Sequence, residues 1–79
     1  MSTEARLRDV FDRVLELDET IPDGELRYQK TSGWDSLGSV LLVASIEDEF
    51  GVEIDIERSL TMDTFAAAVG VLRDLGVEG

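Results

Sequence analysis

Residues 33–51, GWDSLGSVLLVASIEDEFG, form the most apolar segment of the chain and decide its fold. The run predicts a helix from Ser36 to Phe50 that stops at Gly51, because glycine tolerates the left-handed conformation that closes helices. At about 100° per residue, the apolar side chains fall on two roughly opposite arcs. The first arc contains Leu42, Val43, Ile46 and Phe50, and the second contains Leu37, Val40, Leu41 and Ala44.

Two apolar arcs on one helix allow two interpretations. A helix in a small bundle normally has one apolar stripe and turns a polar face to water. Either this helix is central and buried on both sides, or its second arc is a surface on which other proteins dock. Glu47 and Asp48 border the second arc, as polar rims border docking surfaces. The pattern alone leaves both interpretations open.

Before this helix, the sequence predicts another helix and a long loop. The helix should run from about Thr3 to Leu17, with Ser2 or Thr3 as its N-cap. The loop should cover residues 18–35, a length that is unusual in a small domain and often functional. Its apolar residues are spaced as anchors to the helices, and they are Ile21, Leu26, Tyr28 and Trp34.

After the central helix, the sequence predicts two more helical elements. Asp55 is placed to cap a short helical turn over residues 56–59. The last helix should cover residues 62–75, with Thr61 as its N-cap and Gly76 closing it. Its inward stripe is Phe65, Val69, Leu72 and Leu75. The predicted fold is a single all-α domain, a four-helix bundle with a long first loop and a short third helix.

The composition restricts the function. The chain has 79 residues, 18 of them acidic and 7 basic, with a net charge of −11 and neither histidine nor cysteine. This charge argues against binding to nucleic acid or an anionic membrane, and it favours partners with basic surfaces. Without histidine or cysteine, the chain is poorly equipped to be an enzyme. It also lacks an EF-hand pattern, so we expect no specific metal site.

The sequence also predicts where the protein is found. Its N-terminal residues, MSTEARLRDV, lack the apolar run of a signal peptide. No segment approaches the roughly 20 apolar residues that span a bilayer. With no cysteine to form disulfides, we expect a cytoplasmic protein, and we expect it to be a monomer.

Ser36, at the head of the central helix, has two interpretations of its own. Serine is a preferred N-cap residue, so Ser36 could simply cap the helix. Alternatively it carries a covalent phosphoester, since the free N–H groups and the dipole at a helix N-terminus favour an anion. Local physics alone does not choose between them.

Three parts of this region together resemble the acyl carrier protein family: Asp35-Ser36-Leu37, the helix end IEDEFG, and Val52-Glu53-Ile54. The resemblance covers length, acidity, element order, the long first loop and the serine position. It implies 4′-phosphopantetheine on Ser36, attached from coenzyme A by a Mg²⁺-dependent phosphopantetheinyl transferase. Acyl or aminoacyl groups would be held as thioesters on the terminal thiol of that arm. The imported thiol would explain a chain without cysteine or histidine, acting as a substrate and shuttle rather than an enzyme.

The resemblance also implies roles for other residues. Asp35 is the acidic neighbour that the transferase and other partners contact. The implied docking residues for loading and processing enzymes, which present basic or apolar surfaces, are Leu37, Val40, Ala44, Glu47 and Asp48. The implied interior, which shelters an acyl chain in some family members, is lined by Leu42, Val43, Ile46, Phe50, Ile54 and Met62.

The sequence departs from carriers of primary fatty acid synthesis at two positions. Gly38 and Leu41 stand where those proteins usually have acidic residues, and Trp34 resembles carriers of polyketide, nonribosomal peptide or other specialised pathways. We therefore expect a discrete carrier of a specialised pathway, with Leu41 as a contact that distinguishes its partners. The alternatives are a fatty acid carrier and a small acidic adaptor without a prosthetic group.

Overall fold

The computed structural model describes residues 2–17 and 20–77. In this part of the chain the regular elements are helical, which confirms the predicted all-α class. A 3-10 turn at Asp23–Glu25 lies in the long loop. The four α-helices are α1 (Thr3–Leu15), α2 (Ser36–Phe50), α3 (Ile56–Thr61) and α4 (Phe65–Asp74).

The ends of α1 and α2 follow from local chemistry. The Ser2 hydroxyl accepts a hydrogen bond from the N–H of Ala5 at 3.0 Å, so Ser2 is the N-cap of α1. The helix ends at Leu15 rather than at the predicted Leu17, because Glu16 takes a left-handed conformation with φ 52°. Gly51 does the same for α2 with φ 65°, and it confirms the predicted stop.

The predicted start of the last helix was wrong. Thr61 belongs to the end of α3, where its hydroxyl donates to the carbonyl oxygen of Arg58 at 2.7 Å. Thr64 is the N-cap of α4 instead, and its hydroxyl accepts from the N–H of Ala67 at 3.0 Å. Met62 lies between the two helices with its side chain buried. The short third helix is therefore two residues longer than predicted, and α4 is shorter.

An aromatic cluster forms the centre of the core. Phe11 of α1 contacts Trp34 of the loop and Phe65 of α4 edge to face, at ring-centroid distances of 5.0 and 5.4 Å. Such arrangements are favourable beyond the area that they bury. Two of the predicted loop anchors, Leu26 and Trp34, are fully buried, and Ile21 and Tyr28 are half-buried. In the described part of the chain, the other fully buried side chains are Leu7, Val10, Phe11, Leu42, Ile46, Ala68 and Leu72.

Polar contacts fix the beginning of the loop against α1. The guanidinium of Arg8 donates to the carbonyl oxygen of Ile21 and pairs with Asp23 at 2.9 Å. It also pairs with Asp12 one turn along its own helix at 2.8 Å. These contacts place one long cation between the helix and the loop, where its alkyl stem is largely buried.

The end of the loop crosses closely over the first turn of α2. Gly38 is buried beneath Gly33, and a Cβ added at Gly38 would overlap the carbonyl oxygen of Gly33. Gly33 itself has φ 84°, a conformation that favours glycine. An acidic side chain at position 38 therefore has no room in this protein, which gives the departure at Gly38 a structural cause.

Candidate functional site

Asp35, and not Ser36, caps α2. The Asp35 carboxylate accepts a hydrogen bond from the N–H of Gly38 at 2.9 Å, and Ser36 is the first residue of the helix itself. The interpretation of Ser36 as the N-cap was therefore wrong. At this helix end, where the sequence predicted a site for an anion, the N–H of Gly38 already donates to the Asp35 carboxylate.

Ser36 presents an accessible hydroxyl. The residue is exposed, and its Oγ lies 3.2 Å from the phenol oxygen of Tyr28. Because the sequence contains no histidine, the usual base for activating a serine is absent from this chain. The accessible Ser36 hydroxyl therefore lies at the first residue of α2 beside the Tyr28 phenol.

The two arcs of α2 differ sharply in burial. The first arc faces the core, where Leu42 is 2% exposed and Ile46 is fully buried. The second arc faces solvent, and Leu37 and Val40 are 68% and 66% exposed. The interpretation of α2 as a helix buried on both sides was therefore wrong. We call the exposed second arc the docking face, after the role that the sequence predicts for it, and it consists of Leu37, Val40, Leu41 and Ala44.

The acidic residues at the end of α2 have different surroundings. One carboxylate oxygen of Glu47 accepts from the N–H of Ile54 at 2.7 Å, so Glu47 fixes the chain after the helix. Glu49 pairs with Arg6 at 3.1 Å and with Arg13 at 3.4 Å, both on α1. Asp48 is exposed and has no ion pair within the described part of the chain.

Two further exposed apolar residues were missed by the sequence analysis. Ile56 and Leu60 of α3 are 77% and 78% exposed. A groove of about 280 Å³ separates α3 from α2, and its apolar lining is Val40, Val43, Ala44, Ile54 and Ile56. The four-residue spacing of Ile56 and Leu60 was visible in the sequence, but their exposure depends on how α3 packs.

A second, smaller pocket lies next to Ser36. It has a volume of about 100 Å³ and contains Tyr28, the residue that contacts the Ser36 hydroxyl. Its other lining residues are Ser39, Ser59, Leu60, Met62 and Asp63. Hydroxyl and carboxylate groups thus share this pocket with the buried Met62 side chain.

Residues 2–17 and 20–77 contain neither a grouping of acidic side chains suited to a metal ion nor a helix that could cross a membrane. The sequence model of one family, described as the phosphopantetheine attachment site, matches residues 5–72. No solved structure matches the chain. Because the family match covers most of its length, the chain belongs to the acyl carrier protein family, whose members are carrier domains that bear a covalently attached 4′-phosphopantetheine.

The residues around Ser36 fit such a group. A covalent arm needs an accessible hydroxyl that does not cap the helix. Ser36 meets both conditions, because the residue is exposed and Asp35 provides the cap. A neighbouring pocket of about 100 Å³ leaves open space on the Tyr28 side. The bound group would supply a terminal thiol, which the chain itself lacks.

Proposed function

We propose that Ser36 carries 4′-phosphopantetheine and that the protein is an acyl carrier, a substrate and shuttle for partner enzymes rather than a catalyst. One observation carries this proposal: Ser36 is exposed at the start of α2 while the adjacent Asp35 does the capping. An exposed serine that does not cap the helix is suited to the covalent group that members of this family carry.

The chain's own part in the attachment is to present the nucleophile. The Asp35 cap and the close contact of Gly33 with Gly38 fix the first turn of α2, and with it the Ser36 backbone. With the transferase accepting its proton, Ser36 Oγ attacks the phosphorus of coenzyme A that bears the pantetheine. The Oγ–P bond of the phosphodiester forms as the P–O bond of the pyrophosphate breaks, and adenosine 3′,5′-bisphosphate leaves. Such use of an external base agrees with a chain that has no histidine.

The docking face gives partner enzymes a surface beside Ser36. It is apolar and exposed, and Asp35 and Asp48 place negative charge at its two ends. Apolar centres with charged rims are typical of transient protein interfaces. The net charge of −11 favours partners with basic surfaces and speeds their approach.

We further propose that the protein serves a specialised pathway, such as polyketide or nonribosomal peptide synthesis, as a cytoplasmic monomer. Leu41 supports this proposal, because it is 49% exposed on the docking face where fatty acid carriers usually have an acidic residue. Gly38 is weaker support, since its position is buried under the loop and cannot contact a partner. The alternatives are a carrier of fatty acid synthesis and an adaptor without a prosthetic group.

Mass spectrometry tests the carrier role. The protein is incubated with coenzyme A, Mg²⁺ and a broad-specificity phosphopantetheinyl transferase, and its intact mass is measured. We expect one added phosphopantetheine, absent from Ser36→Ala and present in Ser39→Ala, which removes a half-buried hydroxyl one turn along the same helix. Addition to Ser36→Ala would place the group elsewhere, and no addition to the folded wild type would favour the adaptor.

A further inference from the structure

The phenol oxygen of Tyr28 is a hydrogen-bond partner of Ser36. The two oxygens lie 3.2 Å apart, longer than a typical O–H···O bond, and either hydroxyl can be the donor. The ring alone would fill the same space if the residue were a phenylalanine. The hydroxyl is therefore the part of Tyr28 that packing does not explain.

Tyr28 is held by one backbone contact and one ring contact. Its N–H donates to the carbonyl oxygen of Asp63 at 2.9 Å, next to an isolated β-bridge between Arg27 and Thr64. Its ring meets Trp34 edge to face at a centroid distance of 6.5 Å, and Trp34 is buried. These contacts fix Tyr28 between the loop and the junction of α3 with α4, so its hydroxyl is presented to Ser36 from a rigid support.

Two of the first four N–H groups of α2 already have an acceptor within the chain. The N–H of Gly38 is taken by the Asp35 carboxylate, and the N–H of Ser39 donates to the Asp35 carbonyl oxygen at 2.8 Å. The Asp35 carboxylate also adds a negative charge beside any phosphodiester on Ser36. A neutral side-chain donor at this point would offset part of the repulsion between the Asp35 carboxylate and the phosphodiester.

Esterification of Ser36 changes which partner can donate. Ser36 Oγ loses its proton when the phosphodiester forms, so it can no longer donate to Tyr28. The phenol keeps its proton, and phosphodiester oxygens are stronger acceptors than an ester oxygen. They also lie within two bonds of Oγ, which the phenol already reaches.

Resting on the proposed attachment at Ser36, we propose that Tyr28 is a positioning residue for the prosthetic group. Its hydroxyl holds Ser36 Oγ in the unmodified protein and donates to a phosphodiester oxygen in the modified one. The root of the arm is thereby held on the Tyr28 side of the start of α2.

The test compares Tyr28→Phe with Ser39→Ala, which removes a hydroxyl from the same pocket without a recorded contact to Ser36. With coenzyme A, Mg²⁺ and a broad-specificity transferase, Tyr28→Phe should lower kcat about two- to tenfold at unchanged KM, the range that one neutral hydrogen bond supports. In the loaded proteins, the ³¹P resonance of the phosphodiester should move in Tyr28→Phe and stay in place in Ser39→Ala. A purely structural role of Tyr28 would not move that resonance.

Each outcome bears on the proposal. If Tyr28→Phe has the same kcat for loading and the same ³¹P resonance as Ser39→Ala, the positioning role is wrong and the carrier role is unaffected. If the wild type gains no group at Ser36, both proposals are wrong. Should Tyr28→Phe fail to fold, the loaded wild type decides, because Tyr28 is the single tyrosine of the chain and its ring signals are unambiguous. Nuclear Overhauser contacts between that ring and the arm protons next to the phosphate are expected, and their absence would contradict the proposal.

Discussion

The two arcs of α2 have nearly the same composition and opposite surroundings. Leu42 and Leu37 are both leucines of one helix, yet the first is 2% exposed and the second 68%. The buried arc completes the core with α1 and the loop, whereas the docking face meets no other part of the described chain that would cover it. The comparison shows that apolar periodicity alone does not distinguish residues buried in the core from residues buried only in another state of the protein. In the proposed function, that state is a complex with a partner enzyme.

The largest difference should appear when the same truncation is made on each arc. Leu42→Ala removes a fully packed side chain and should lower the free energy of unfolding by about 2–5 kcal/mol. Leu37→Ala should change it by less than about 0.5 kcal/mol, because the side chain is mostly exposed. Urea denaturation of both variants measures the two values. Equal losses would mean that the docking face is packed in the free protein.

A smaller loss should follow from a methyl group added under the loop. Gly38→Ala would push a Cβ into the carbonyl oxygen of Gly33, so we expect a loss of about 1–3 kcal/mol as the loop shifts. Gly70→Ala is the matched control in α4, where no atom lies within 4 Å of the added Cβ. It should stabilise the protein by about 0.5–1 kcal/mol through helix propensity. Thermal melts of the pair give the two signs, and a stabilising Gly38→Ala would contradict the close contact.

A small effect on stability is expected at Leu41, where the consequence should be functional. Leu41→Asp replaces a half-exposed apolar contact of the docking face with the charge typical of fatty acid carriers, and should cost no more than about 1 kcal/mol of stability. Acyl loading of the modified protein by its cognate enzyme should fall about tenfold, equivalent to about 1.4 kcal/mol. Loading rates of the folded variant measure this. Unchanged loading would remove Leu41 as a contact that distinguishes partners.

The sequence predicted the parts of the fold that local patterns determine. The bounds of α2 followed from its apolar periodicity and from Gly51. A polar residue before a helical run predicted Ser2 or Thr3 as the cap of α1, and the structure has Ser2. Both depend on residues within one or two turns of each other. The same is true of the Gly76 stop after α4, where φ is 88°.

The two errors in helix caps occurred where either of two nearby residues could be the N-cap. Asp35 and Ser36 are both good N-caps, and the loop geometry set by Gly33 over Gly38 decides that Asp35 reaches the free N–H. Thr61 and Thr64 compete in the same way. The bridge between Arg27 and Thr64 comes from a loop more than 30 residues earlier and accompanies the choice of Thr64. Such long-range contacts leave no local mark in the sequence.

At the candidate site, the sequence singled out Ser36 and the apolar residues beside it, and their roles stay predictions. The exposure and the contacts of these residues could not be predicted. The Tyr28 contact with Ser36 depends on how the loop folds back, and the exposure of Ile56 and Leu60 depends on the packing of α3. Glu47 was predicted as a docking residue, and that role stays a prediction. One of its carboxylate oxygens is engaged by Ile54.

The central claim is that Ser36 carries the prosthetic group and does not cap α2. The intact mass of Ser36→Ala after incubation with coenzyme A, Mg²⁺ and transferase, on a sample whose denaturation curve is also recorded, tests it most directly. We predict an unchanged mass and a free energy of unfolding within about 1 kcal/mol of the wild type, because Asp35 keeps the cap. A mass gain equal to that of the wild type, or an unfolded variant, would contradict the claim.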